Sequence, residues 1–379
     1  MNERVPRSAW PLGLIGMMVL VVGVERTIAR RDTDLSTMFA MEWRANGNAA
    51  YKQAPKVDIL CLGTSVTRMG VAPTILEEKL GRSAYNLALS GGQPFASYTM
   101  LRHALAAGAK PKAIVVDFKW SAIAMDHTWN ERVLPEMATL RDCAELAWAA
   151  RDGSYFARLA LVSKLPSYRC RTEIRANVLA AIGGKEPERN GGRWVMQRNA
   201  KMNKGGILVP VSGVPKQDFD PNDTHLFPPK WTCHPISEQY INKFFLLAAA
   251  EKIPVLWLIT PVGPGVLARR DATGAEDRYD AFVRKATARY PGVTVVDSRR
   301  SKYAVEAFTD TTHLNLDGAV TLTNDLADVI ARRLAAPADQ GPRWVDLPPY
   351  RPSPGAKSLE DLAESTVVVN EKFRKPERR

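Results

Sequence analysis

The sequence has only four cysteines in 379 residues, at 61, 143, 170 and 233, and no Cys-x-x-C pair. That excludes a disulfide scaffold and a redox dithiol. A single disulfide among Cys143, Cys170 and Cys233 stays open in an oxidising compartment, while Cys61 sits in an apolar run and reads as a small buried hydrophobe. Metal-like His/Cys spacing is also lacking. Cys233-His234 with His225 nearby is the one candidate cluster, and neither a metal nor another cofactor is expected. No compact basic-aromatic motif accompanies the net charge of +12 (52 Lys and Arg against 40 Asp and Glu). The excess therefore reads as a solvated surface with a basic tail, or as attraction to anionic polymer or headgroups, and not as a nucleic-acid site. Two familiar motifs are incomplete. Gly63-x-Ser65-x-Thr67 lacks the second glycine of the GxSxG elbow, and Gly183-Gly184-Lys185 lacks the spacing of a phosphate loop.

No comfortable membrane span is present either. The uncharged run Ala9–Val24 is shorter than the roughly 20 residues a span needs. Arg4 and Arg7 precede it and Glu25, Arg26, Arg30 and Arg31 follow, so charge does not fix its orientation. Residues 1–31 are read as an uncleaved signal anchor, or else a cleaved signal peptide, with the remainder outside the cytoplasmic membrane. Residues 32–56 read as a stalk.

What the chain does contain is alternation. Short apolar strands at Val57–Leu62, Ala84–Leu89 and Ala113–Phe118 alternate with helices that Pro73 opens, Gly81 stops, and Phe95 to Ala107 continue. Residues 125–234 break the pattern and read as an insertion or cap, since so long a plain loop is improbable. From 235 to 335 the alternation resumes: a helix, the strand IPVLWLIT, a helix over 275–290, the strand Val293–Val296, and a last helix from Asn315. Residues 336–379, rich in Pro and charge, read as a disordered basic tail. Buried strands alternating with helices predict an α/β fold, a three-layer α/β/α sandwich with a mainly parallel central sheet. Ligands then sit beyond the carboxyl ends of the strands. Ser65, Gly91 and Ser121 fall just after predicted strands, and Asp310 and His313 after the last one, so one sheet edge gathers them all.

Ser65, Asp310 and His313 supply a nucleophile, the carboxylate that orients a base, and the base. Asp317 reads as a first-turn acid suited to the helix dipole, and His103 as a structural residue on its helix. Trp120, Trp129, Trp194 and Trp231 are candidates for stacking against sugars, with core or cap packing the simpler reading.

These residues resemble the SGNH (GDSL-type) hydrolase and acyltransferase superfamily over roughly 57–124 and 235–334. Gly63-Thr64-Ser65 is similar to its first block, Asn86–Gly91 to its second, and Asp310-x-x-His313 to its last. The resemblance implies Ser65 attacking an acyl carbonyl, with His313 as base and Asp310 behind it. It also implies an oxyanion hole of the Ser65 and Gly91 N–H groups. The superfamily's asparagine after strand three is missing: Lys119-Trp120-Ser121 stands there, leaving the Ser121 hydroxyl as the candidate third donor. Membrane-anchored members that handle O-acyl groups on cell-surface polymers often lack that block too. The expected function is therefore ester hydrolysis or O-acyl (acetyl) transfer on an extracytoplasmic carbohydrate, through a Ser65 acyl-enzyme. The alternative is a non-catalytic scaffold or polysaccharide-binding subunit of the same fold.

Overall fold

The computed structural model describes residues 12–30, 35–184, 192–211, 220, 227, 230–337, 341–352 and 359–373. Six strands form one sheet: β1 (Ile59–Leu62), β2 (Ala84–Asn86), β3 (Ala113–Val116), β4 (Val255–Ile259), β5 (Val293–Asp297) and β6 (Trp344–Asp346). Their order is β2-β1-β3-β4-β5-β6, and every pairing is parallel. The four central strands β1, β3, β4 and β5 are buried throughout, which is why they read as continuous apolar runs and not as alternating ones.

Side chains leave each strand on alternate faces, and the two faces carry different helices. Leu60, Leu62, Ile114, Val116 and Trp257 pack under α2 (Met38–Lys52), α5 (Pro94–Ala106), α12 (Pro235–Ala250) and α14 (Ala275–Thr287). Ile59, Cys61, Val115, Leu256 and Leu258 face α4 (Pro73–Leu80) and α15 (Leu316–Ala335). The fold is therefore the expected three-layer α/β/α sandwich. Its strand order reverses direction between β1 and β3, so the crevice at their carboxyl ends is where such sheets bind ligands. The remaining helices are α1 (Leu12–Arg30), α3 (Ser65–Gly70), α6 (Trp120–Ala124), α7 (Leu140–Ala150), α8 (Gly153–Lys164), α9 (Pro166–Arg169), α10 (Arg171–Ile182), α11 (Gly192–Met202), α13 (Pro264–Ala272) and α16 (Leu362–Phe373).

Three readings of the sequence need correction. The segment read as a stalk is largely α2, and it is part of the core: Trp43 is fully buried, with Glu42 and Asn46 nearly so. The insertion shares that core, since Leu134, Cys143, Leu146, Tyr155 and Trp231 pack into the same cluster as the sheet. Residues 341–352 and 359–373, read as part of a disordered tail, hold β6 and α16, the second packed on α11. Polar and proline-rich composition hid a strand of three residues whose pairing is set by β5. The disulfide that the sequence left open among Cys143, Cys170 and Cys233 is not formed, since all four cysteines are free thiols. Burial pushes the Cys61 thiol up to about 12, as suits an inert core residue.

Helix α1 exposes Leu14 through Val22 and docks on α9, where Glu25 accepts the Ser167 N–H at 3.0 Å. Among the described residues no helix is long and apolar enough to cross a membrane. Arg4, Arg7, Arg31, His225 and the basic C-terminus lie outside the described residues.

The sixth strand yields a direct test. Deleting residues 341–379 strips β6 from β5 and α16 from α11, and should lower the melting temperature by about 5 °C or more. An unchanged melting temperature would mean that this segment adds nothing to the fold.

Candidate active site

Strand β1 ends at Leu62, and the chain turns through Gly63 into α3. Gly63 has φ +124°, and a Cβ there would lie 2.2 Å from Asp117 Oδ1. Only glycine fits that turn. Thr64 caps α3 and Ser65 is its first residue, so the Ser65 N–H belongs to the unpaired first turn. Asp117, just beyond β3, holds the turn from the other side. It accepts the Thr64 N–H at 2.7 Å, the Thr64 hydroxyl at 2.9 Å and the Lys119 N–H at 3.2 Å. Burial pushes the Asp117 carboxyl above its ordinary range in spite of the Thr64 hydrogen bonds and the charge of Lys119.

The second half of the site comes from the loop ahead of α15. Asp310 Oδ1 accepts the N–H groups of Thr312 at 2.8 Å and His313 at 2.9 Å, which curls the loop back on itself. Asn315 caps α15 by accepting the Gly318 N–H at 3.1 Å. The curl aims the imidazole across the sheet edge. His313 Nδ1 lies 2.7 Å from Asp310 Oδ2, and His313 Nε2 lies 2.7 Å from Ser65 Oγ. An ionised carboxylate can only accept, so Nδ1 carries the proton and Nε2 receives the Ser65 O–H. Burial pushes the Asp310 carboxyl up. The hydrogen bond and charge of His313, with the two backbone N–H groups, outweigh burial and hold it well below the usual carboxylate range. Three residues separated by 248 positions in sequence thus meet in line, with the base able to take the hydroxyl proton.

Gly91 adopts φ +69° and lines the same cavity as Ser65, Asp310 and His313. Its loop is held by α2. Glu42 Oε1 accepts the Ser90 N–H at 2.5 Å and Oε2 the Ser90 hydroxyl at 2.9 Å. The Trp43 indole donates to the Ser90 carbonyl at 3.1 Å, and Asn46 donates to the Ala88 carbonyl at 2.8 Å. Because a trans peptide points its N–H opposite its C=O, the Trp43 bond also fixes the direction of the Gly91 N–H. Neither that N–H nor the Ser65 N–H meets an acceptor among the described residues.

Ser121 does not join them. It lies on α6 and does not line the cavity, because the chain turns away after Lys119. Lys119 reaches the triad instead, its Nζ 3.4 Å from Thr312 Oγ1. Burial and Arg270 lower its pKa against the pull of Asp117 and Asp310. An asparagine does reach the cavity, from the insertion: Asn130 Nδ2 donates to the Gly91 carbonyl at 3.0 Å. Asp117, Glu42 and Asn130 escaped the sequence reading. Asp117 ended an apolar strand and was legible as a polar residue at a strand end, whereas the other two carried no local signal.

The cavity holds about 630 Å³, the size of a small-molecule site. Phe39 and Ala40 of α2 and Met69 form apolar wall, and the insertion supplies Trp129, Val133 and a charged rim. In that rim Arg132 pairs with Glu173 at 3.2 Å and Arg169 with Glu136 at 3.4 Å. Of the four tryptophans considered, Trp129 lines the cavity and is 55% exposed, while Trp120 and Trp231 are buried packing residues. Trp194 lies against Arg193 on α11. His103 is structural, bonded to Asp142 at 3.0 Å and stacked on Tyr51.

The metal candidate resolves differently from its sequence form. His234 meets Asp126 and His127, while the Cys233 thiol bonds back to the His234 carbonyl at 3.5 Å. His234 Nδ1 accepts the Ile236 N–H at 3.3 Å, which leaves its proton on Nε2, the nitrogen 3.8 Å from Asp126. A bound cation would need that nitrogen bare. Asp126, His127 and His234 each offer one ligand atom, all within 4.8 Å of one another, so a cation binding there would displace the His234 Nε2 proton.

Neither the family models nor the curated proteins contain a match to this chain.

Two measurements test the geometry. Gly63→Ala should cost roughly 1–3 kcal/mol or more, since it adds a Cβ where φ is left-handed and a carboxylate is in the way. A depressed carboxyl stabilises the fold above its ordinary pKa, and the contribution fades as pH falls through the folded value. Removing the imidazole in His313→Ala should therefore move the Asp310 titration upward, read by carbon NMR. An unmoved titration would assign the depression to the backbone donors alone.

Proposed function

We propose that this chain is an acyl-transfer enzyme of the SGNH type that works through a Ser65 acyl-enzyme. The observation that carries the proposal is the unbroken line from Ser65 Oγ to His313 Nε2 and from His313 Nδ1 to Asp310, each contact at 2.7 Å. His313 takes the Ser65 proton as Oγ attacks the acyl carbonyl, and the Asp310 carboxylate stabilises the imidazolium that forms. The unpaired N–H groups of Ser65 and Gly91 receive the oxyanion. His313 then protonates the departing alcohol oxygen. In the second half of the cycle the base draws a proton from water, giving hydrolysis, or from a carbohydrate hydroxyl, giving transfer.

The cavity supports a substrate with an apolar acyl part and a polar acceptor part. Phe39, Ala40 and Met69 offer contact to the acyl group, and exposed Trp129 offers a ring face to a sugar. Walls contributed by the insertion govern access of water and acceptor. An O-acylated carbohydrate outside the cytoplasmic membrane, with α1 belonging to the anchor, is the proposed setting.

A fluorophosphonate probe should label the wild type and leave Ser65→Ala unlabelled. Turnover of an acetyl ester should fall by roughly six orders of magnitude in His313→Ala. Product that forms only with an oligosaccharide acceptor identifies a transferase, and turnover in water alone an esterase. A folded wild type that neither labels nor turns over would overturn the reading in favour of a binding subunit.

A further inference from the structure

Three metal-ligating side chains converge away from the triad, where the insertion begins. His234, the N-cap of α12, meets Asp126 and His127, which follow α6 directly. The His234 N–H donates to the Ile123 carbonyl of α6 at 2.8 Å and so holds the two segments together. Asp126 has one oxygen to spare. Its Oδ1 accepts the Thr128 N–H at 2.8 Å and the Thr128 hydroxyl at 2.7 Å, while Oδ2 faces both imidazoles. Oδ2 lies 3.5 Å from His127 Nδ1 and 3.8 Å from His234 Nε2. Tetrahedral zinc, with bonds of about 2.0–2.1 Å to nitrogen and oxygen, sets its ligand atoms about 3.3 Å apart. Asp126 is exposed, so its carboxylate can turn to close the difference.

His127 gives an independent sign of a ligand. Both its ring nitrogens are buried, and neither makes a hydrogen bond among the described residues. Buried polar atoms left in that state call for a water or an ion. The ring is not loose, since Tyr155 packs edge-on against it at 5.0 Å and donates its hydroxyl to the His127 carbonyl at 3.0 Å. Nδ1 faces Asp126, and Nε2 faces Asp152 Oδ2 at 3.8 Å on the opposite side. A metal-ligating histidine is commonly backed by a carboxylate in this way. Asp152 is itself fixed, because its Oδ1 caps α8 by accepting the Tyr155 N–H at 2.9 Å, and Arg158 lies 3.6 Å from its Oδ2.

We propose that Asp126, His127 and His234 bind one zinc ion through Oδ2, Nδ1 and Nε2, with water completing the tetrahedron. Two imidazoles and a carboxylate favour zinc over magnesium and calcium, which seek all-oxygen sites. The His234 proton passes from Nε2 to Nδ1 as the metal binds. The 3.3 Å hydrogen bond from the Ile236 N–H is thereby exchanged for a coordination bond. The carboxylates of Asp126 and Asp152 offset the ion's charge beside the positive N-terminus of α12. The Trp129 N–H donates to the Asp126 carbonyl at 3.1 Å, and Trp129 and Asn130 line the triad cavity. The ion therefore fastens to α12 the loop that forms this part of the cavity wall. The site does not depend on the chemistry assigned to Ser65.

Zinc chloride titrated into untagged, chelator-stripped full chain, against a chromophoric competitor at neutral pH, tests the proposal. Wild type should bind one equivalent and melt at a higher temperature with zinc than without. Excess magnesium should not displace the zinc. Asp126→Asn keeps the Oδ1 acceptor for Thr128 and removes the ligand charge. It should fold, bind zinc at least about tenfold more weakly and lose the thermal shift, as should His127→Gln. His313→Ala should bind zinc as wild type does, which separates this site from the triad. The proposal is overturned if wild type binds no zinc, if magnesium displaces it, if folded Asp126→Asn binds undiminished, or if His313→Ala loses the equivalent.

Discussion

The Asp117 carboxylate is the contact on which the rest of the site depends. It is only 2% exposed, and it takes both hydrogen-bonding groups of Thr64, the residue just before Ser65. A carboxylate so deep is costly unless its oxygens are filled, and the backbone and hydroxyl of Thr64 fill them. The requirement runs both ways. The carboxylate occupies the space a Cβ of residue 63 would need, which forces glycine there and sets the angle at which the chain leaves β1. Ser65 is thus positioned by β3 as much as by its own strand. Preorganisation of this kind matters because a displaced nucleophile loses much of the advantage of an intramolecular reaction.

A similar logic governs the Gly91 loop. Three side chains of one helix, Glu42, Trp43 and Asn46, bond to the backbone between Ala88 and Ser90. Glu42 also pairs with buried Arg68, which sits on the short helix that begins with Ser65. The loop and the helix that Ser65 begins are therefore tied through one carboxylate.

Much of this was legible in the sequence, and the limits have physical causes. The buried strands announced themselves because parallel strands covered on both faces are apolar at every position. Ser65, Asp310 and His313 were legible because strand ends in such a fold collect at one edge. What escaped is what depends on partners distant in sequence. Nothing local in Ala40–Asn46 tells of a loop at 88–91, and a three-residue strand at Trp344–Asp346 has no period to detect. Ser121 was a plausible donor by position alone, but one turn of helix carried it away from the cavity. Asn130, which does reach Gly91, comes from the insertion, where no motif marks it.

Under the proposed chemistry, the asparagine expected after strand three has a structural counterpart. The residue nearest that place, Lys119, does not point a neutral amide at the oxyanion position. It contacts Thr312 beside the triad carboxylate, and its lowered pKa reflects burial that its two acidic neighbours do not offset. Under the proposed chemistry the oxyanion relies on two backbone N–H groups. Each is directed by fixed hydrogen bonds on its own peptide or turn: Asp117 through Thr64 for one, Trp43 through the Ser90 carbonyl for the other. Backbone donors held in this way need no reorganisation as charge develops, and removing one such donor costs about 3 kcal/mol in comparable sites. The burden that a side-chain amide would carry thus falls on residues outside the familiar blocks. That explains why Trp43 and Glu42 are buried with such complete satisfaction in a segment whose composition reads as a mere connector.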